Sequence, residues 1–217
     1  MEHNIRRTLD FLKQQFDQSV YMSSHPMDKK YRLEHTMRVA KIGQLIARGE
    51  GFEEETLIIG CLLHDLSYVD TFNSEDDWLN HGRNAAKMAR PFLETLDLSQ
   101  EQIDAICYGI AIHVDDQADF PGERSPLAVS IGDCDNIDRF DVYRIHETLK
   151  NRSFTDLPLE EQAEYVRNVL QKLSKYNEIE FATKTGTHLW KDRITFQMEF
   201  FTRLQAQLDL GTVPHTI

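Results

Sequence analysis

The sequence predicts an all-α protein, and three observations predict it. Apolar residues recur at spacings of three and four along most of the chain. Nowhere does a run of alternating, β-branched residues appear. Only 10 glycines and 6 prolines punctuate the 217 residues, which suits long regular elements joined by few turns.

The elements follow in order. Residues 5–21 carry Leu9, Leu12, Phe16 and Val20 on one helical stripe. A polar break at 23–28 contains Pro26, and a second helix is expected over 30–48, stopping near Gly49 and Gly51. Residues 53–64 read as a third helix. The polar stretch 71–77 reads as a loop, and 79–96 as a helix. Ser99 offers an N-cap with Gln102 as its capping-box partner, opening a helix to about His113. The acidic stretch 115–125, with Pro121-Gly122, reads as a loop before a helix over 126–136. Two or three more helices follow Asp141, including 159–176 and 187–208, and the tail from Gly211 is expected to be loose. The expected organisation is one metal-binding helical domain over 1–140 with a helical extension over 141–217 packed on it.

Composition narrows the function. A net charge of −12, from 36 acidic and 24 basic side chains, argues against a nucleic-acid duplex or an anionic membrane as partner. A small phosphorylated substrate remains compatible, because cations gathered in one cleft reverse the field locally. The N-terminus lacks the apolar region of a signal peptide, and no apolar run is long enough to cross a bilayer. Cys61, Cys107 and Cys134 form no CxxC pair and read as reduced thiols of a cytoplasmic protein.

The chemistry-bearing residues lie where apolar stripes meet polar positions. His35 begins the stripe Val39, Ile42, Ile46, and His81 begins Ala85, Met88, Phe92. His113 ends Ile103, Ile106, Ile110, and Asp135 ends Leu127, Ile131. His64 and Asp65 end the apolar run 57–63. A single histidine on such a stripe is more often a hydrogen-bonded core residue than a ligand. Six ionisable groups on the inward faces of five helices need a shared partner, since each is costly to bury alone. A divalent cation accepts imidazole and carboxylate together and offsets the negative charge.

The order His35, His64-Asp65, Asp135 resembles the HD superfamily of metal-dependent phosphohydrolases. Arg-Leu-Glu-His-Thr-Met-Arg-Val-Ala surrounds His35, and Gly-Cys-Leu-Leu-His-Asp-Leu surrounds the doublet. The segment 131–138, Ile-Gly-Asp-Cys-Asp-Asn-Ile-Asp, is similar to the family's last motif, where the ligand usually stands three residues before a second Asp. That selects Asp135, with Asp133 as the fallback. The resemblance covers about 31–140 and implies a divalent metal held by His35, His64, Asp65 and Asp135. His81 and His113 resemble the extra histidines of two-metal members, and bacterial HD enzymes that split dinucleoside tetraphosphates carry a similar order.

The implied activity is hydrolysis of a phosphoester or phosphoanhydride in a small nucleotide-like molecule, by one or two ions of Mn, Fe, Co or Ni, with Mg possible. Asp65 would hold or bridge the ions, Asp70 is a candidate acid or base, and Arg38 is the first candidate for a phosphate contact, ahead of Arg83 and Arg139. The doublet continues Leu66-Ser67-Tyr68-Val69-Asp70, without the Ile-Gly and nearby Lys of several HD families, which bears on substrate class. Two alternatives stand beside this expectation: a non-catalytic HD module that binds nucleotide or metal for signalling, and a di-iron HD-fold oxygenase.

Overall fold

A computed structural model describes residues 2–117 and 119–211, and among them every regular element is helical. Eleven α-helices are described: α1 Glu2–Gln18, α2 Val20–Ser24, α3 Pro26–Glu50, α4 Glu54–Leu63, α5 Glu75–Leu79, α6 His81–Leu93, α7 Gln100–Ile112, α8 Pro126–Arg139, α9 Val142–Asn151, α10 Leu159–Tyr176 and α11 Lys184–Gly211. Short 3-10 turns occupy Leu66–Val69 and Phe154–Asp156. The chain divides into two compact units, one of residues 1–138 with 182–186 and one of 139–181 with 187–217. The tail expected beyond Gly211 lies outside the described residues.

In the first unit α4 is the central helix. Leu57, Ile58, Ile59, Cys61, Leu62 and Leu63 are all buried, so it is apolar all round, as a helix enclosed by others must be. It packs against α1, α3 and α7, and α6 packs on α7. Each surrounding helix contributes one stripe: Leu12 and Phe16 from α1, Val39, Ile42 and Ile46 from α3, Ile103, Ile106 and Ile110 from α7. Fully burying one such side chain stabilises by about 1.5–3 kcal/mol, so the stripes hold the helices in register.

Local chemistry explains where the elements depart from expectation. α3 starts at Pro26 rather than near residue 30, because proline at the first helical position needs no N–H partner. It ends at Gly51, whose φ of 71° supplies the left-handed cap. Val20 does not continue the α1 stripe and is 85% exposed. Ser19 interrupts the helix, caps the Met22 N–H and donates its hydroxyl to the Val69 carbonyl, so Met22 turns inward instead. Part of the expected loop at 71–77 is the helix α5, opened by a capping box between Ser74 and Asp77. The helix expected from residue 79 begins at His81, since α5 ends at Leu79. The Ser99–Gln102 capping box is present at the start of α7.

The second unit is built on α9, α10 and α11. Ile145, Phe154, Val166, Leu173, Trp190, Ile194, Phe201 and Leu208 are its buried hydrophobics among the described residues. The Trp190 indole donates to the Tyr176 carbonyl, and the buried Gln197 amide donates to the Phe140 carbonyl. No described helix is long and apolar enough to cross a membrane. Cys61, Cys107 and Cys134 are free and buried.

Candidate metal centre

Helix ends create the site. The last carbonyls of a helix have no intrahelical partner, so a side chain beyond the end can use them. His64 and His113 occupy the C-cap positions of α4 and α7. The His64 Nδ1–H donates to the Cys61 carbonyl at 2.8 Å, and the His113 Nδ1–H to the Ile110 carbonyl at 2.7 Å. His81, first residue of α6, does the same toward the Trp78 carbonyl near the end of α5, at 2.6 Å. In all three the acceptor lies three residues back, which fixes the proton on Nδ1 and leaves Nε2 as a lone pair. His35 is oriented differently: its Nδ1 donates to Asp138 Oδ2 at 2.7 Å, which turns Nε2 toward Asp135.

The four Nε2 atoms converge on two carboxylates. His35 Nε2 lies 3.1 Å and His64 Nε2 3.9 Å from Asp135 Oδ1. The same two nitrogens lie 3.8 and 3.5 Å from Asp65 Oδ2. Asp65 turns its other oxygen, Oδ1, toward His81 Nε2 at 3.6 Å and His113 Nε2 at 3.7 Å. Asp65 therefore faces two groups of imidazoles with two different oxygens. Two overlapping trios, His35/His64/Asp135 and His64/Asp65/His113, bring their ligand atoms within 4.8 Å of one another.

These donors fit a divalent transition metal on two observations. The His64 Nε2 is buried with no hydrogen-bond partner, an orphaned lone pair that a cation would satisfy. The His81 and His113 Nε2 atoms face each other at 3.1 Å while both Nδ1–H groups are committed to carbonyls. Two lone pairs that close need a proton or a metal between them. Gly82 permits the approach: a Cβ there would lie 2.7 Å from the Ile110 carbonyl oxygen and 2.9 Å from that of Ala111. The Ser67 hydroxyl, donating to the His81 carbonyl, ties the start of α6 to the turn after the doublet.

Electrostatics prepare the donors. Burial drives the His64 pKa down to about 4, so it is neutral at ordinary pH. Burial also disfavours ionised Asp65, but the imidazoles gathered around it and the Arg32 guanidinium, which donates to Oδ2, outweigh it and hold the carboxyl well below its usual range. Asp135 is likewise held low against burial, first by its hydrogen bond from His35 and then by the charge on that ring. Burial opposes charge on His35, yet hydrogen bonds to Asp135 and Asp138 raise its pKa to about 9.

That last shift carries a pH prediction. The His35 pKa is raised above its unfolded value of about 6.5, so its proton stabilises the metal-free fold fully below about 6.5 and the contribution is lost as pH rises through about 9. A metal must displace this proton. Apparent Mn²⁺ affinity is therefore expected to rise with pH toward about 9, with net proton release at pH 7.5. Calorimetry in two buffers of different ionisation enthalpy measures that release, and a value of zero contradicts the assignment.

The remaining sequence candidates stand elsewhere. Asp133, the fallback ligand, accepts the Ala182 N–H, and burial pushes its pKa up to about 6. Arg38 donates Nε and Nη2 to the two oxygens of Asp138, bracing the carboxylate that orients His35. Asp70 is exposed and lines a separate cavity of about 290 Å³ with Ser67, Asn84 and Lys87. Arg83 pairs with Asp115 and Asp119, and Arg139 belongs to the second unit.

Sequence reasoning did not single out Arg32, nor the orienting role of Asp138. Arg32 donates to Asp65 Oδ2 at 2.8 Å with its guanidinium carbon 3.4 Å from the centre of the Tyr68 ring. Both were within reach of helical arithmetic. Arg32 stands three residues before His35 on α3, and Asp138 three after Asp135 on α8, so each shares a face with a metal-ligand candidate.

An all-helical bundle with a buried cluster of four histidines and two aspartates is a metal-site architecture. A family model described as HD domain matches residues 32–140, half of the chain, and the chain belongs to that family. HD domains bind divalent metals, and members are generally metal-dependent phosphohydrolases. A crystal structure described as a predicted HD superfamily hydrolase from an uncultured Thermotogales bacterium is similar at a TM-score of 0.63. Its sequence identity is 20%, over 93% of this chain and 91% of that one, a likeness of fold. No curated protein matches the chain.

Proposed function

We propose that the chain hydrolyses a phosphoester or phosphoanhydride bond in a small, nucleotide-like substrate, with two divalent transition ions that His35, His64, Asp65, His81, His113 and Asp135 would hold. The observation that carries it is the disposition of Asp65, whose two oxygens face His35 and His64 on one side and His81 and His113 on the other. When bound, divalent metal supplies Lewis acidity to the phosphoryl oxygens and activates water for attack.

The chain's own residues prepare that chemistry. Asp138, braced by Arg38, fixes His35 with its Nε2 toward the ligand cluster, and three helix-end carbonyls do the same for His64, His81 and His113. Charge favours an anionic substrate. Asp65, Asp135 and Asp138 are balanced by Arg32, Arg38 and protonated His35. Two divalent ions bound there in exchange for the His35 proton would make the site net positive. Arg32, stacked on Tyr68 beside Asp65, is the cation best disposed to receive a phosphoryl oxygen. Asp70 has no step here and remains a solvated carboxylate. Free, buried cysteines suit a reducing, cytoplasmic setting.

Arg32→Ala is expected to lower kcat/KM about 10- to 100-fold, the equivalent of about 1.5–3 kcal/mol for a hydrogen bond to a charged group. Arg32→Lys should recover part of it, and unchanged kcat/KM in both variants removes Arg32 from the substrate. The function itself is tested by incubating phosphorylated metabolites with the chain and Mn²⁺, Fe²⁺, Co²⁺ or Mg²⁺. Phosphate or nucleotide release that stops with chelator and returns with metal is expected. No release with any ion, or oxygen consumption with Fe²⁺ in its place, overturns the assignment.

A further inference from the structure

The second unit contains a cavity of about 290 Å³, near the lower end of the volumes that hold small ligands. Its walls follow from helical spacing. α10 turns one face to it, with Tyr165, Val169, Lys172 and Tyr176 at intervals of three and four. α9 adds Arg144 and Thr148, one turn apart, and α11 adds Gln197 and Phe201, also one turn apart. The chemistry of this lining is segregated. Ile145, Leu173 and Phe201 are buried and make an apolar floor. Gln197 is 7% exposed, a polar group built into that floor and anchored to the Phe140 carbonyl. Arg139, Arg144 and Lys172 supply cationic groups to the lining.

Charge composition makes the lining unusual for this chain. Acidic residues outnumber basic ones 36 to 24 over the sequence, yet among the described residues the cavity is lined by three cations and no carboxylate. An inorganic anion would leave the floor wetted, and a neutral apolar molecule would gain nothing from the cationic side of the lining. We infer that this cavity binds a small organic anion, with an apolar body against Val169, Leu173 and Phe201 and a carboxylate, sulfonate or phosphate head toward Arg144 and Lys172. The lining residues all belong to the second unit.

The fluorescent probe 1-anilinonaphthalene-8-sulfonate has this chemistry and can be titrated into the full chain. One saturable site is expected, emptied by 4-phenylbutyrate but not by 4-phenylbutan-1-ol or inorganic phosphate at the same concentration. Lys172→Glu, on an exposed position, should weaken the probe about tenfold or more, because an attractive charge becomes a repulsive one. Val169→Trp should fill the cavity and abolish binding. Thermal melts check that both variants fold, and Lys172→Glu decides the matter alone if the tryptophan is not accommodated. Absence of saturable binding, equal affinity in wild type and Lys172→Glu, or equal competition by the alcohol each overturns the inference.

Discussion

Asp65→Ala is expected to abolish turnover, by about 10⁴-fold or more in kcat, a loss of about 5 kcal/mol in transition-state stabilisation. Four histidine nitrogens lie within 3.8 Å of one or other of its oxygens, so its loss reaches every imidazole of the cluster. Both ions should be lost or bound weakly in this variant, because each loses its shared carboxylate. Asp65→Asn is the informative companion. It keeps the shape and removes the charge, so Arg32 loses the ionic part of its 2.8 Å contact. Circular dichroism separates a folded, inactive protein from an unfolded one, and metal-dependent activity near the wild-type level in a folded Asp65→Ala rules out the mechanism.

The second large effect concerns His81 and His113. Replacing both with alanine should reduce bound Mn²⁺ from two ions per chain to one and lower kcat sharply, since a two-metal site clamps both attacking and leaving oxygens. The remaining ion keeps His35, His64, Asp65 and Asp135, whose mutual contacts do not involve the deleted rings. Titration of metal-free protein with Mn²⁺ counts the ions. One ion in both wild type and variant would make the pair a substrate-binding or core feature and leave the four-residue site intact.

Much of this fold was legible because its long helices announce themselves. The stripes of α3 and α7 and the cap at Ser99 are local signals that tertiary packing merely reinforces. What escaped is short or non-local. α5 has five residues and exists through the Ser74–Asp77 capping box, against a background that otherwise reads as polar loop. Val20 sits in phase with Leu12 and Phe16 along the sequence, and Ser19, which caps the Met22 N–H and donates to the Val69 carbonyl, breaks that phase. In the metal centre the ionisable residues stand out because they interrupt apolar stripes. Their supports do not, since Cys61, Trp78 and Ile110 contribute carbonyls that any residue would supply. Arg38 shows the limit most clearly. One turn past His35 it could face an incoming phosphate or a neighbouring carboxylate, and Asp138, a hundred residues away in sequence, is the partner it has.

The central claim is that Asp65 joins two metal positions, and anomalous diffraction from crystals grown with Mn²⁺ tests it most directly. Two anomalous peaks are predicted, about 3.5–4 Å apart. One should be bounded by His35, His64 and Asp135, the other by His81 and His113, with one oxygen of Asp65 on each. A single peak, a peak away from these side chains, or two peaks that do not share Asp65 would contradict it.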